Sequence, residues 1–183
     1  GSSSLTTGAG DDTFTFAAGT GLTSADTVDG GTGTDTVALT GNTAVAATNF
    51  NSVKNIEAIT LANTSTAVAI TTQDTLVAAG ATLTLSNAAN SGILTFNGSA
   101  ETNGSFKITG GTGVDNITGG AGDDTFTFVA GTGLTTDTVN GGTGTDTVTL
   151  TGTTAVTAAQ FNNVSNIEAI TLPDMVNTAV TIT

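Results

Sequence analysis

The segment GAGDDTFTFAAGTGLTSADTVDGGTGTDTVALTGNTAV, which begins at Gly8, returns from Gly120 as GAGDDTFTFVAGTGLTTDTVNGGTGTDTVTLTGTTAV. FNSVKNIEAITL from Phe50 likewise returns as FNNVSNIEAITL from Phe161. A chain that repeats itself this closely folds as units able to stack on one another, which is the signature of solenoids, propellers and arrays. The repeat divides the chain into residues 1–72, a dissimilar middle at 73–109, and 110–183.

Within each copy the runs DTFTF, DTVAL and DTVTL, and in the middle ATLTL, ILTF and FKIT, alternate apolar and polar residues. That alternation predicts strands with one face inward, and the Gly, Asn and Asp clusters between them predict turns. The runs recur at about nine to fourteen residues, too short for a βαβ crossover and regular enough for stacked rungs. Ile108, Ile117 and Phe126 fall nine apart, as do Val28 and Val37, and Val139 and Val148. This period predicts an all-β, right-handed parallel β-helix or β-roll. A β-sandwich also accommodates short strands but gives no reason for a fixed period. Helix-type spacing is confined to Ala44 to Phe50 and Ala155 to Phe161, enough for one or two turns. With no Trp or Tyr, the core must come from Val, Ile, Leu, Ala and eight Phe.

The units GGTGTDTVA from Gly30, GGTGVDNIT from Gly110, GGAGDDTFT from Gly119 and GGTGTDTVT from Gly141 share glycine at places one, two and four and aspartate at place six. TGAGDDTFT from Thr7 lacks only the first glycine. A hard cation such as calcium takes six to eight oxygens from carboxylates and backbone carbonyls. Glycine reaches positive φ at no steric cost, so a glycine-rich turn can aim several carbonyls at one point while the aspartate adds charge. Asp11, Asp12, Asp26, Asp29, Asp35, Asp115, Asp123, Asp124, Asp137 and Asp146 are placed in these turns and make up most of the fifteen acidic residues. Carboxylates clustered in this way repel unless a cation lies between them. Folding is therefore expected to be coupled to calcium.

These units resemble the RTX family, the calcium-binding nonapeptide repeats G-G-x-G-x-D-x-U-x. The resemblance implies turns on alternating sides of a roll, with each ion between a turn and the next turn but one. It pairs Asp12 with Asp35, Asp124 with Asp146, and Asp115 with Asp137. AGTGLTSAD and AGTGLTTD then look like enlarged turns carrying Asp26 and Asp137. The candidate ligands of several Ca2+ ions are these seven aspartates and the turn glycines Gly8, Gly10, Gly31, Gly33, Gly111, Gly113, Gly120, Gly122, Gly142 and Gly144. Residues 73–109 hold Glu101 in NGSAETNGS but no nonapeptide unit, and read as ion-poor rungs joining two calcium-rich parts.

Phe50, Val53, Ile56, Ile59 and Leu61, with their counterparts Phe161, Val164, Ile167, Ile170 and Leu172, read as core positions of a rung. Their pattern is similar to F-x-x-V-x-N-I-E-x-I-x-L segments of RTX-type bacterial surface-layer proteins. Glu57 and Glu168 occupy its one charged place. They read as a solvated face, with a calcium ligand or a strand-end acceptor as the alternatives.

Composition narrows the function. Two lysines, Lys54 and Lys107, stand against fifteen acidic residues, for a formal charge of −13, so nucleic acid is not an expected partner. There is no histidine and no cysteine, which removes the usual general base and thiol chemistry. The AspAsp pairs at 11–12 and 123–124 could suggest a glycosidase, but the turns already require them. The chain is therefore read as no enzyme. No apolar run is long enough for a membrane-spanning helix. Gly1 to Ser4 shows no signal segment, and the chain reads as a piece of something larger.

The expectation is a structural, calcium-stabilised segment of a secreted bacterial surface-layer protein. By resemblance such proteins leave by type I secretion, fold outside the cell and self-associate into a lattice on the cell surface. The alternative is an RTX adhesin segment or a non-catalytic carbohydrate-binding module, with cell-surface polysaccharide as partner. The absence of a Trp or Tyr platform counts against a sugar site.

Overall fold

The computed structural model describes residues 1–62, 65–172 and 180–181. The chain is all-β and coils into a parallel β-solenoid of about seven turns. Its front face is an eight-stranded parallel sheet. In chain order the strands are Thr13–Ala17, Thr36–Thr40, Ala58–Leu61, Thr82–Ser86, Ser105–Thr109, Thr125–Val129, Thr147–Thr151 and Ala169–Thr171. Each pairs with the strand one coil further along, so every neighbour in space is distant in sequence.

The alternation of the sequence becomes columns. Phe14, Val37, Ile59, Leu85, Ile108, Phe126, Val148 and Ile170 stand in direct register along the whole front sheet. All but Ile170 are buried. On the back face Ile70, Phe96, Ile117, Val139 and Val164 form the matching column. Between the faces the rings of Phe96 and Phe106 meet edge to face, with centroids 4.9 Å apart. Gly98 and Gly110 are glycine because a Cβ there would strike the rings of Phe106 and Phe128. The nonapeptide's apolar eighth place thus enters a continuous core, from the front face at Phe14, Val37, Phe126 and Val148 and from the back face at Ile117.

The back face is assembled in staggered blocks. Ser4–Thr6, Thr27–Asp29 and Val53–Lys54 form one sheet; Val68–Thr71, Leu94–Asn97, Asn116–Thr118, Thr138–Asn140 and Val164–Ser165 form the next. The step occurs once per copy. After Thr36–Thr40 the chain first presents Val45, which bridges to Val68 and opens the second block, and then Val53–Lys54, which closes the first. A single 3-10 turn, Ala47–Phe50, joins the two. In the second copy Val156–Thr157 pairs with Val180–Thr181, the 3-10 turn is Ala158–Phe161, and Val164–Ser165 ends the five-stranded block. The helical spacing read in these stretches thus becomes one tight turn that sidesteps between blocks.

The repeated F-x-x-V-x-N-I-E motif has two fates. In the first copy Phe50, Val53, Ile56 and Ile59 are buried, because Asn55 and Ile56 donate to the carbonyls of Thr75 and Leu76 and the next coil lies over them. In the second copy Phe161, Val164, Ile167 and Leu172 are only partly buried and Ile170 is 44% exposed. The expectation that both sets are core is corrected for Ile170; Leu61 of the first copy and Phe161, Val164, Ile167 and Leu172 of the second are partly buried and pack against the core. Among the described residues no further coil covers that end.

This contrast is measurable. Ile108→Ala removes a fully buried member of the front column and should cost about 2–5 kcal/mol in urea unfolding at fixed calcium. Ile170→Ala, in the same column, should change stability by no more than about 0.5 kcal/mol. Equal losses at the two positions would contradict the columnar core.

Candidate calcium-binding turns

The turns stack as regularly as the strands. On the edge entering the front sheet, Gly8–Asp12 lies against Gly31–Asp35, which lies against Asn55–Glu57. In the second copy Gly120–Asp124, Gly142–Asp146 and Asn166–Glu168 follow the same order. Backbone bonds tie them, as in Thr32 N–H to the Gly8 carbonyl at 2.9 Å and Thr143 N–H to the Gly120 carbonyl at 2.9 Å.

One contact recurs along both edges: a backbone N–H donates to a carboxylate on the next turn of the stack. Asp12 N–H donates to Asp35 Oδ1 at 2.9 Å, and Asp124 N–H to Asp146 Oδ1 at 2.8 Å. On the other edge Asp115 N–H donates to Asp137 Oδ1 at 2.8 Å. The aspartates paired from sequence are therefore adjacent members of one column. Asp35 N–H and Asp146 N–H continue it to Glu57 Oε2 and Glu168 Oε2, each at 2.8 Å. Both glutamates act as strand-end acceptors, one of the alternatives read from the sequence; Glu57 is half-buried, while Glu168 also lies on an exposed face as first read.

The neighbours of these carboxylates differ in a telling way. Asp26 is satisfied within the protein: Oδ1 accepts from Ser3 N–H, and Oδ2 from the N–H and hydroxyl of Thr23. These bonds, that of the Thr23 hydroxyl first, hold its carboxyl below the usual range. The second copy lacks a counterpart of Ala25, and Asp137 Oδ2 is left buried with no partner. Asp35 Oδ2 and Asp146 Oδ2 are equally bare. Asp29 does not belong to a turn. It closes the strand Thr27–Asp29, where Asn55 and Lys54 bind it, the latter at 3.0 Å.

The glycines serve in two ways. Gly31, Gly33, Gly142 and Gly144 have φ of 91°, 143°, 101° and 134°. Gly111, Gly113, Gly120 and Gly122 do not take positive φ, so the sequence argument from φ is corrected for those units. What all of them share is a Cβ position filled by the backbone of the adjacent turn: the carbonyls of Gly8, Gly10, Asn90, Gly92, Glu101, Gly104, Gly120 and Gly122 point there in order. Close approach of carbonyl to backbone, more than φ, makes glycine obligatory.

Three further glycines mark oxygen-lined cradles. A Cβ on Gly30 would meet the Asn55 carbonyl and Asp35 Oδ2 together; on Gly141, the Asn166 carbonyl and Asp146 Oδ2; on Gly119, the Gly141 carbonyl and Asp124 Oδ2. Asn55 and Asn166, at φ of 53° and 50°, turn their carbonyls into these cradles, a role the sequence reading missed. The signal was an Asn followed two places later by Glu57 or Glu168 at the aspartate's place. Also missed were buried Asn87 and Asn90, which lie under the Gly111–Asp115 turn; Asn87 Nδ2 approaches Asp115 Oδ1 at 3.4 Å. Among the described residues no three acidic side chains converge on one point. Any cation must therefore be held by carboxylates and backbone carbonyls jointly, the donor set calcium accepts.

The same arrangement matches known repeats. The model of the RTX calcium-binding nonapeptide repeat fits in four copies, over residues 1–22, 19–39, 107–133 and 132–148. These segments are RTX calcium-binding nonapeptide repeats. No curated protein and no solved structure matches the chain. The matched segments contain all the stacked Gly-Asp turns described above.

Electrostatics follow from the geometry. Burial raises the carboxyls of Asp124 and Asp137 to about 6, with the neighbouring Asp146 and Asp115 charges pushing the same way. Burial also raises Asp115 and Asp146. A rise of that size corresponds to about 3 kcal/mol for each ionised group. A domain's whole margin is about 5–15 kcal/mol, so ionising such groups at neutral pH without a counter-ion weakens the fold appreciably.

Two predictions follow from these turns. Without calcium, a folded pKa raised above the ordinary 3.8 means that the fold binds protons more tightly than the unfolded chain. Stability in chelator should be greatest near 3.8 and fall as pH rises to about 6. The lowered Asp26, Asp29 and Asp74 act below that window. A melting temperature that climbs across it would refute the assignment. Among the glycines, Gly8→Ala meets nothing and should be neutral, while Gly41→Ala meets only φ of 87° and should cost about 1 kcal/mol. Gly31→Ala adds the Gly8 carbonyl to a φ of 91° and should cost clearly more. Thermal unfolding in calcium ranks the three.

Proposed function

We propose that this chain is a structural segment of a secreted bacterial surface-layer protein, a solenoid that becomes rigid outside the cell when calcium enters its turns. The observation that carries the calcium part is the bare, buried oxygen on Asp35, Asp137 and Asp146 within stacked turns. In this reading the ligands are Asp12, Asp35, Asp115, Asp124, Asp137 and Asp146 with the carbonyls of their turns and of Asn55 and Asn166. Asp26 contributes least, and Asp115 and Asp124, whose two oxygens likewise already accept protein donors (Leu94 and Gly111 N–H; Phe106 and Gly120 N–H), contribute less than Asp35, Asp137 and Asp146.

A bound calcium supplies positive charge between turns that otherwise repel. The protein's own part is to hold the oxygens in place through the N–H to carboxylate contacts and the glycine approaches. The threonine-rich outer surface of the front sheet and the low content of charged residues suit a lattice component that packs against copies of itself. No residue is assigned a catalytic role. The described residues include no helix long and apolar enough to cross a membrane.

The test is a calcium titration of the purified chain by circular dichroism and calorimetry, with magnesium as control. Calcium should bind at several sites and raise the melting temperature, each site adding about 2.7 kcal/mol at a hundredfold excess over its Kd. Magnesium, which demands strict octahedral geometry, should not substitute. A chain equally stable in chelator and in millimolar calcium would overturn the reading.

A further inference from the structure

Residues 73–109 contain no nonapeptide unit, yet one of their turns has the features of the Gly-Asp turns. In Gly98–Gly104, Glu101 is 1% exposed. Its Oε1 accepts from Gly104 N–H at 2.9 Å and from Asn103 N–H at 3.2 Å. Its Oε2 is enclosed and has no partner. With Oε1 held by two backbone donors, the carboxylate cannot rotate to give Oε2 a donor without losing them. Among the described residues the one ion pair is Lys54 with Asp29, so no cationic side chain offsets Glu101.

The surroundings supply oxygen. A Cβ on Gly120 would meet the carbonyls of both Glu101 and Gly98, at 2.9 and 3.2 Å, so the two face the same point beneath the next turn. Glu101 also lines a cavity of about 310 Å³ that includes Ser99, Thr118 and Thr143, whose hydroxyls are further oxygen donors. The turn is fixed from the preceding coil by Asp74, whose Oδ1 accepts from the N–H and hydroxyl of Thr102 at 2.8 and 2.6 Å. It is fixed from the following coil by Ala121 N–H, which donates to the Glu101 carbonyl at 3.0 Å.

We infer that the Gly98–Gly104 turn is an additional calcium site, with Glu101 Oε2 as its charged ligand and carbonyls of the same turn, those of Gly98 and Glu101 among them, as the oxygens available to complete it. All its donors are oxygens, which selects a hard cation over zinc or copper. A single carboxylate makes it weaker than the turns where two carboxylates adjoin. The middle of the chain is then not an ion-poor bridge, and calcium continues through the stack. This inference rests on the calcium reading of the repeats.

The test keeps the two separable. Equilibrium dialysis with radioactive calcium counts ions on the wild type and on Glu101→Gln. Glu101→Gln should bind one ion fewer, the weakest of the set. An unchanged count in Glu101→Gln overturns the site but leaves the repeats intact; no binding by the wild type overturns both. Should the variant not fold, wild-type crystals grown in calcium decide through anomalous scattering. A peak in contact with Glu101 Oε2 supports the site, and filled Gly-Asp turns beside an empty Glu101 turn refute it.

Discussion

The structure depends on a backbone N–H that reaches one coil along and ends on a carboxylate. A parallel solenoid must turn the chain at each edge, and every turn leaves amide groups that the strand ladders do not use. Aspartate or glutamate at the sheet entrance of the following coil accepts one of them, as Asp35, Asp137 and Asp146 do and as Glu57 and Glu168 do beyond them. The same contact places acidic groups of successive coils in one column, and where the column is buried, at Asp124, Asp137 and Asp146, loss of water and the neighbouring charges favour the protonated form. Order along the edge and electrostatic strain along the edge are consequences of a single choice of residue, and a cation between turns relieves the second without disturbing the first.

Glycine is the complement of that choice. For a carboxylate to meet the adjacent coil, the turns must approach until the carbonyl of one occupies the Cβ position of the other, as the Gly8 carbonyl does at Gly31 and the Gly120 carbonyl at Gly142. Close approach brings carbonyl oxygens within reach of the carboxylate's free oxygen. A motif that looks like a list of flexible residues is thus a packing requirement. It also explains why the unit tolerates variation at its third and fifth places, where side chains project to solvent: Thr112 and Val114 are exposed, as are Thr143 and Thr145.

Much of the candidate site was legible because it is local. The spacing of Gly and Asp within nine residues reports the turn directly, and the offset between copies reports which turns match. What was not legible depended on neighbours one coil away. Asn55 and Asn166 enter the site through carbonyls, which carry no residue-type signature. Asp26 and Asp137 hold the same place in the repeat, yet a single missing residue beside Asp137 removes the bracket that satisfies Asp26. Glu101 looked isolated in sequence because its partners are the backbone of its own turn and of the coil above.

By itself the sequence determined the rung: strand alternation, turn chemistry, the apolar eighth place and the two-copy order all follow from short-range rules of backbone conformation and burial. Only the tertiary structure decided how rungs meet. It set the staggered blocks of the back face, since whether Val45 or Val53 continues a sheet depends on which coil already offers a free edge. It also decided that Ile59 is core and Ile170 is surface, although both stand in the same motif. The physical reason is that in a solenoid burial is conferred by the next coil, and a residue's own segment carries no information about whether that coil is there.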